Sequence, residues 1–100
     1  MRIIAKPTLT AYALKRPELA QPLQAWYEEA KRAQWKAPQD IKARFPNASF
    51  VAPNRVVFNI KGNSHRLVVA VHYGFKAIYI KFIGNHAEYD KIDVATVEPE

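Results

Sequence analysis

Apolar residues recur along this chain first at helical spacing and then at every second position, and the change falls near Arg55. Arg2 to Ala5 reads as a short opening strand that Pro7 limits. Leu9, Tyr12 and Ala13 follow one helical face, with Thr8 as the expected N-cap and Pro17 as the break. Leu19, Leu23, Trp26, Tyr27 and Ala30 then form one broad apolar face, while Glu18, Glu28, Glu29, Lys31 and Arg32 leave the other wet. Pro22 places the start of this second helix nearby, because a proline is harmless only in the first turn. A third helical piece opens at Pro38, has Asp40 in its first turn, pairs Ile41 with Phe45 and stops at Pro46.

From Arg55 the period is two. Val56, Phe58 and Ile60 alternate with Arg55, Val57 and Asn59, and Gly62-Asn63-Ser64 turns the chain into a second strand, His65 to Tyr73. Gly74 makes the next bend, Ala77 to Ile83 is a third strand, and Gly84 is expected to end it. Asn85 and Glu88 have the spacing of a capping box for a last helical turn through Ile92. No repeat, low-complexity run or linker interrupts this pattern. The reading is α+β: one domain over residues 1–100, with N-terminal helices packed on a small meandering antiparallel sheet and a short C-terminal helix.

Charge sharpens the picture. The 100 residues carry a formal net charge of +6, and the excess belongs to one segment. Between Asp40 and Glu88 there is no acidic residue, whereas Lys42, Arg44, Arg55, Lys61, Arg66, Lys76 and Lys81 all lie there. A field so concentrated attracts phosphate, and a generic soluble surface mixes signs instead. With no cysteine, disulfide scaffolds and thiolate metal sites are excluded, which points to a reducing, cytoplasmic setting. The N-terminus lacks a signal-peptide apolar region, and the run Leu67 to Val71 is far too short to cross a bilayer, so no membrane role is expected.

Alternation places Arg66 with Val68, Ala70 and His72 on one face of the second strand, opposite Leu67, Val69, Val71 and Tyr73. In the third strand it places Lys81 with Ala77, Tyr79 and Ile83, opposite Ile78, Ile80 and Phe82. A single long cation in such a strand can simply snorkel to water. Two of them, with Lys61 beside the hairpin tip, His86 after the third strand and Tyr89 one turn on, suggest a concave basic site fit for a phosphodiester. RNA is cut without metal when its own 2′-hydroxyl attacks the adjacent phosphate. That reaction needs a proton acceptor, charge for the crowded phosphorane and a proton for the leaving 5′-oxygen. Histidine suits the shuttle, and arginine and lysine the charge. His86 has the best position; His65 reads as a hairpin surface residue and His72 as a partly buried sheet residue. No histidine has a partner at zinc-ligand spacing, and no phosphate loop or nucleophile elbow occurs, so no metal or other cofactor is expected. Trp26, Tyr27 and Trp35 sit at helical spacings and read as core rather than as base-stacking platforms.

The stretch VVFNIKGNSHRLVVAV, followed by IYIKFIGNHAEYDKID, resembles the HigB family of type II toxin–antitoxin systems, a branch of the RelE superfamily, and LQAWYEEAKRAQW and IKARFP fit it too. The resemblance implies a RelE-like fold and an endoribonuclease that cleaves messenger RNA, typically on the translating ribosome. It also implies neutralisation by a HigA-type helix-turn-helix antitoxin, in a complex that binds operator DNA. Arg66 matches the arginine that opens the corresponding strand in RelE-like toxins, as charge stabiliser and phosphate clamp. His86 stands where RelE looks to have a second arginine, so a general acid and a phosphate or base contact are both open to it. Tyr89 would position the nucleotide, Lys81 and Lys61 would supply charge, and Asn59, Asn63 and Asn85 would be further RNA contacts. Glu88 reads as a helix cap rather than a base. Two other readings share these residues: a basic module that binds RNA or DNA and cuts nothing, and a gyrase poison such as ParE, which has the same fold.

Overall fold

A computed structural model describes residues 1–99. Its element order is β1 (Arg2–Ile4), α1 (Lys6–Lys15), a 3₁₀ turn (Pro17–Leu19), α2 (Ala20–Arg32), α3 (Pro38–Arg44), β2 (Ser49–Val51), β3 (Arg55–Ile60), β4 (His65–His72), β5 (Ala77–Asn85) and α4 (His86–Tyr89). The α+β reading holds: helices cover a five-stranded sheet of order β1-β5-β4-β3-β2. The meander β2 to β5 is antiparallel, and β1 adds an outer strand parallel to β5.

The helices begin and end where their prolines allow. Pro22 is the third residue of α2 and so lies in the first turn, where no intrahelical amide is required. Thr8 is not the cap of α1. That helix starts two residues earlier at Lys6, after Ala5 in the left-handed region at φ 74°, because Pro7 is itself favoured in a first turn. No helix is long and apolar enough to cross a membrane among the described residues.

One face of the sheet meets the helices. Leu67, Val69 and Val71 of β4, Val56, Phe58 and Ile60 of β3, and Ile78, Ile80 and Ile83 of β5 join Leu19, Leu23, Trp26, Trp35 and Ile41 in the core. Phe58 is its centre, with ring centroids of Phe45 at 5.0 Å, Trp26 at 5.4 Å and Trp35 at 6.4 Å. Trp26 and Trp35 are therefore core residues, as their spacing indicates, and such aromatic contacts add to simple burial.

β5 departs from the expected alternation. Val68 pairs with Phe82 but Val69 pairs with Ile80, so Lys81 is an extra residue in a β-bulge. The bulge moves Phe82 to the Arg66 side and sends Ile83 into the core opposite Leu67. Strict period-two counting assigns both residues to the wrong face for that reason. β5 also continues through Gly84 to Asn85, whose pairing with His65 prolongs the ladder.

Candidate functional site

Register puts Asn59 of β3, Arg66 of β4 and Gly84 of β5 in one row across the sheet, on the face away from the helices. Gly84 leaves the room that the row needs. A Cβ there would lie 2.5 Å from the ring of Phe82 and 3.0 Å from the Cβ of Glu88, so only glycine lets that ring and α4 come so close to the strand.

α4 starts directly beyond. Asn85 Oδ1 accepts from the Glu88 amide at 2.8 Å, and Glu88 Oε1 accepts from the Asn85 amide at 2.8 Å, which completes the capping box expected from sequence. Tyr12 of α1 donates its hydroxyl to the same Glu88 Oε1 at 3.0 Å. The Asn85 amide, and after it the Tyr12 hydroxyl, hold the Glu88 carboxyl below its ordinary pKa. Burial first, and then Glu88 itself, raise that of Tyr12. Glu88 is thus a cap and a tether between α1 and α4, committed to donors and unsuited to act as a base.

The cap fixes where His86 and Tyr89 emerge. Arg66 Nη2 lies 3.2 Å from His86 Nε2, and the Arg66 guanidinium carbon is 5.9 Å from the Tyr89 ring centroid. A guanidinium can only donate, so the contact requires His86 Nε2 to be the acceptor, with the ring proton on Nδ1. Asp90 Oδ1 faces that Nδ1 at 3.7 Å. Arg66 is braced from behind, its Nη1 donating to the carbonyls of Asn63 at 3.0 Å and His65 at 3.2 Å. Asn59 Nδ2 donates to Asn63 Oδ1 at 3.3 Å and ties the hairpin tip to the same row. The result is a half-exposed guanidinium with one nitrogen turned to an imidazole acceptor at the open end of the sheet.

Arg66, His86, Tyr89, Asn59 and Asn63 are therefore brought together. Asn85 lies beside them, but its backbone amide and its side-chain oxygen are both engaged in the cap. Lys61 sits exposed at the hairpin tip at φ 53°. Lys81 lies further along the sheet, where its Nζ donates to Glu98 Oε1 at 2.6 Å and stands 5.8 Å from the Tyr79 ring centroid.

Two histidines sit opposite to expectation. His65 is buried, its Nδ1 is 2.8 Å from Ser64 Oγ, and the Tyr12 ring meets it edge-on at 6.0 Å. Burial lowers its pKa, against a smaller opposing effect of Glu18 and Glu88. His72 is exposed and stacks on Phe75 at 3.9 Å. Their surroundings explain the exchange: Tyr12 of α1 lies against the first residue of β4 with α4 packed beside that strand, whereas its last residue stacks on Phe75 of the turn that follows. Sequence reasoning also missed Asp90, although its i, i+4 spacing from His86 on a short helix was a usable signal.

A family model described as HigB_toxin, RelE-like toxic component of a toxin-antitoxin system, matches residues 19–92. "mRNA interferase HigB" of Escherichia coli O6:H1 is 33% identical over 94 residues, covering 92% of this chain and 91% of that protein. "mRNA interferase toxin HigB" of Escherichia coli K12 is 31% identical over 93 residues, covering 90% and 88%. "mRNA interferase HigB" of Shigella flexneri matches to the same extent.

Proposed function

Because this chain belongs to the HigB toxin family, the RelE-like toxic components of toxin–antitoxin systems, we propose that it is a single RelE-like toxin domain that cleaves messenger RNA on the translating ribosome, through Arg66 and His86. The observation that carries the reading is the 3.2 Å contact between Arg66 of β4 and His86 of α4, twenty residues apart in sequence. The relatives named mRNA interferase support the substrate.

In this mechanism His86 Nε2, free of a proton, accepts the one lost by the 2′-hydroxyl. The 2′-oxygen bonds to phosphorus as the bond to the 5′-oxygen breaks. The products are a 2′,3′-cyclic phosphate and a 5′-hydroxyl, the latter taking its proton from water. The Arg66 guanidinium leaves the imidazole as that ring becomes positive and spends its donors on the phosphorane oxygens, where charge develops. Asp90 faces the Nδ1 side of the cationic ring and steadies it. Tyr89 stacks against a neighbouring base, while Lys81, Lys61, Asn59, Asn63 and the side-chain NH2 of Asn85 track the RNA backbone. No step calls on a metal ion or an organic cofactor. A HigA-type helix-turn-helix antitoxin neutralises the protein and carries it to operator DNA, and the work is cytoplasmic, where ribosomes and message are.

The reaction is tested with purified protein and ribosomes programmed with a defined message. Cleavage that leaves a cyclic phosphate, and that stops when the nucleotide before the cut is 2′-deoxy, supports the mechanism. Equal cleavage of the deoxy-substituted message overturns it.

A further inference from the structure

The face of the sheet that carries Arg66 holds a pair of cations further along. Arg55 pairs with Ala70, four positions along β4 from Arg66, so it stands on the same face at a distance of about 13 Å. Its side chain is 7% exposed and that of Lys81 19% exposed. Both cations converge on one carboxylate, since Arg55 Nη2 donates to Glu98 Oε2 at 2.9 Å and Lys81 Nζ to Glu98 Oε1 at 2.6 Å. Arg55 Nη1 donates to the Val97 carbonyl at 2.6 Å, and its Nε, buried too, has no partner among the described residues.

Such a pair is poorly explained as tail anchorage alone. Two cations share one anion, an arginine donor in the interior is unmet among the described residues, and the carboxylate that answers the pair is itself 58% exposed. Its low pKa follows from Lys81 first and then Arg55. An exposed carboxylate exchanges readily with solvent and with competing anions. A two-oxygen anion held between an arginine and a lysine has the shape and charge of the non-bridging oxygens of a phosphodiester.

We propose that Arg55 and Lys81 form a second phosphate subsite for the RNA strand whose scissile linkage lies at Arg66, and that Glu98 of the C-terminal tail occupies this subsite as an internal anion until RNA displaces it. The inference rests on the functional reading above. It adds a binding site, a ligand class and a restraint that the tail places on binding. RNA entering along the face meets Arg66 and His86 first, and a neighbouring phosphate of the same strand then exchanges with Glu98. Released from the cations, the tail is free to leave the face.

The test is equilibrium binding of a 2′-O-methyl oligoribonucleotide, which cannot be cut by its own 2′-oxygen, across a series of salt concentrations. Glu98→Gln is expected to bind several-fold more tightly than wild type, with a log–log salt slope steeper by about 0.7, the increment for one more phosphate on a single strand. Lys81→Gln combined with Glu98→Gln is expected to lose that gain. Glu28→Gln on α2, which removes the same formal charge away from this face, is expected to leave affinity near wild type. Glu98→Gln binding no tighter than Glu28→Gln overturns the subsite, and so does a gain that survives in the double variant. Message cleavage by the same preparations separates this inference from the reading beneath it. A protein that cuts message but shows no Glu98 effect refutes the subsite alone. One that shows the Lys81-dependent gain yet cuts nothing upholds the subsite and refutes the nuclease.

Discussion

At the scale of single residues, the proposed cleavage rests on Arg66 and His86, whose side chains meet at 3.2 Å. Arg66→Ala is expected to reduce cleavage by about a hundredfold or more, the usual loss when a donor to a developing oxyanion is removed. Arg66→Lys recovers little, because one ammonium cannot both brace the hairpin carbonyls and reach the phosphate. His86→Gln keeps a polar side chain but loses the proton acceptor, so cleavage should fall by about a hundredfold or more in the same assay. His65 makes a separate and purely structural prediction. Burial lowers its folded pKa, so the unfolded chain binds the proton more readily, and the stabilisation is complete above the unfolded value of about 6.5 and lost as pH falls below it. The thermal midpoint of wild type should drop between neutral pH and pH 5 more than that of His65→Gln, as followed by circular dichroism. Arg66 and His86 were legible in the sequence because a cation in an apolar strand and a histidine just past a glycine are both out of place. His65 and His72 were not, because exposure at the two ends of β4 is decided by α1 and α4, which pack there from distant parts of the chain.

Among the elements, α4 has the most consequence for its size. Four residues cannot sustain a helix by themselves, and this one is held by its capping box and by Tyr12 reaching over from α1. Asn85→Ala is expected to cost about 1 kcal/mol of stability in denaturant titration, with a larger proportional loss of cleavage, since His86 and Tyr89 lose their bearing before the core is disturbed. Gly84→Ala should act on the same element from below. Its methyl group must displace the Phe82 ring or lift α4 from β5, and a shift of about 1 Å at a reacting group can cost about a hundredfold in rate. The helices, the hairpin and the cap could be read from spacing and punctuation. The bulge at Lys81 could not, because an inserted residue leaves no compositional mark in a strand that is apolar on both faces. Nor could β2, whose three residues Ser49–Val51 are too few for any period to show and pair only at the sheet's outer edge.

Across the whole molecule, the segregation of charge along the chain becomes segregation by face. The helices and the core occupy one side of the sheet, and Arg55, Arg66 and Lys81 all project from the other, where the carboxylates of Glu88, Asp90 and Glu98 cap a helix, face His86 and pair with Arg55 and Lys81 respectively. On the proposed reading such a face meets RNA by phosphate first, so affinity should fall steeply with added salt, and the cleavage specificity should come from what Arg66 and His86 can reach. The family resemblance and the charge pattern made the nucleic-acid reading visible in the sequence; the meeting of the two side chains needed the register of β4 against β5 and the cap of α4. The most direct test maps the 5′ ends of cellular messenger RNA after brief induction of wild type, Arg66→Ala and His86→Gln. New 5′-hydroxyl ends within coding regions for wild type, and near-absence of them for both variants, are the predicted result. Cells that stop growing with no new ends, or a His86→Gln variant that cuts as wild type does, would contradict the account.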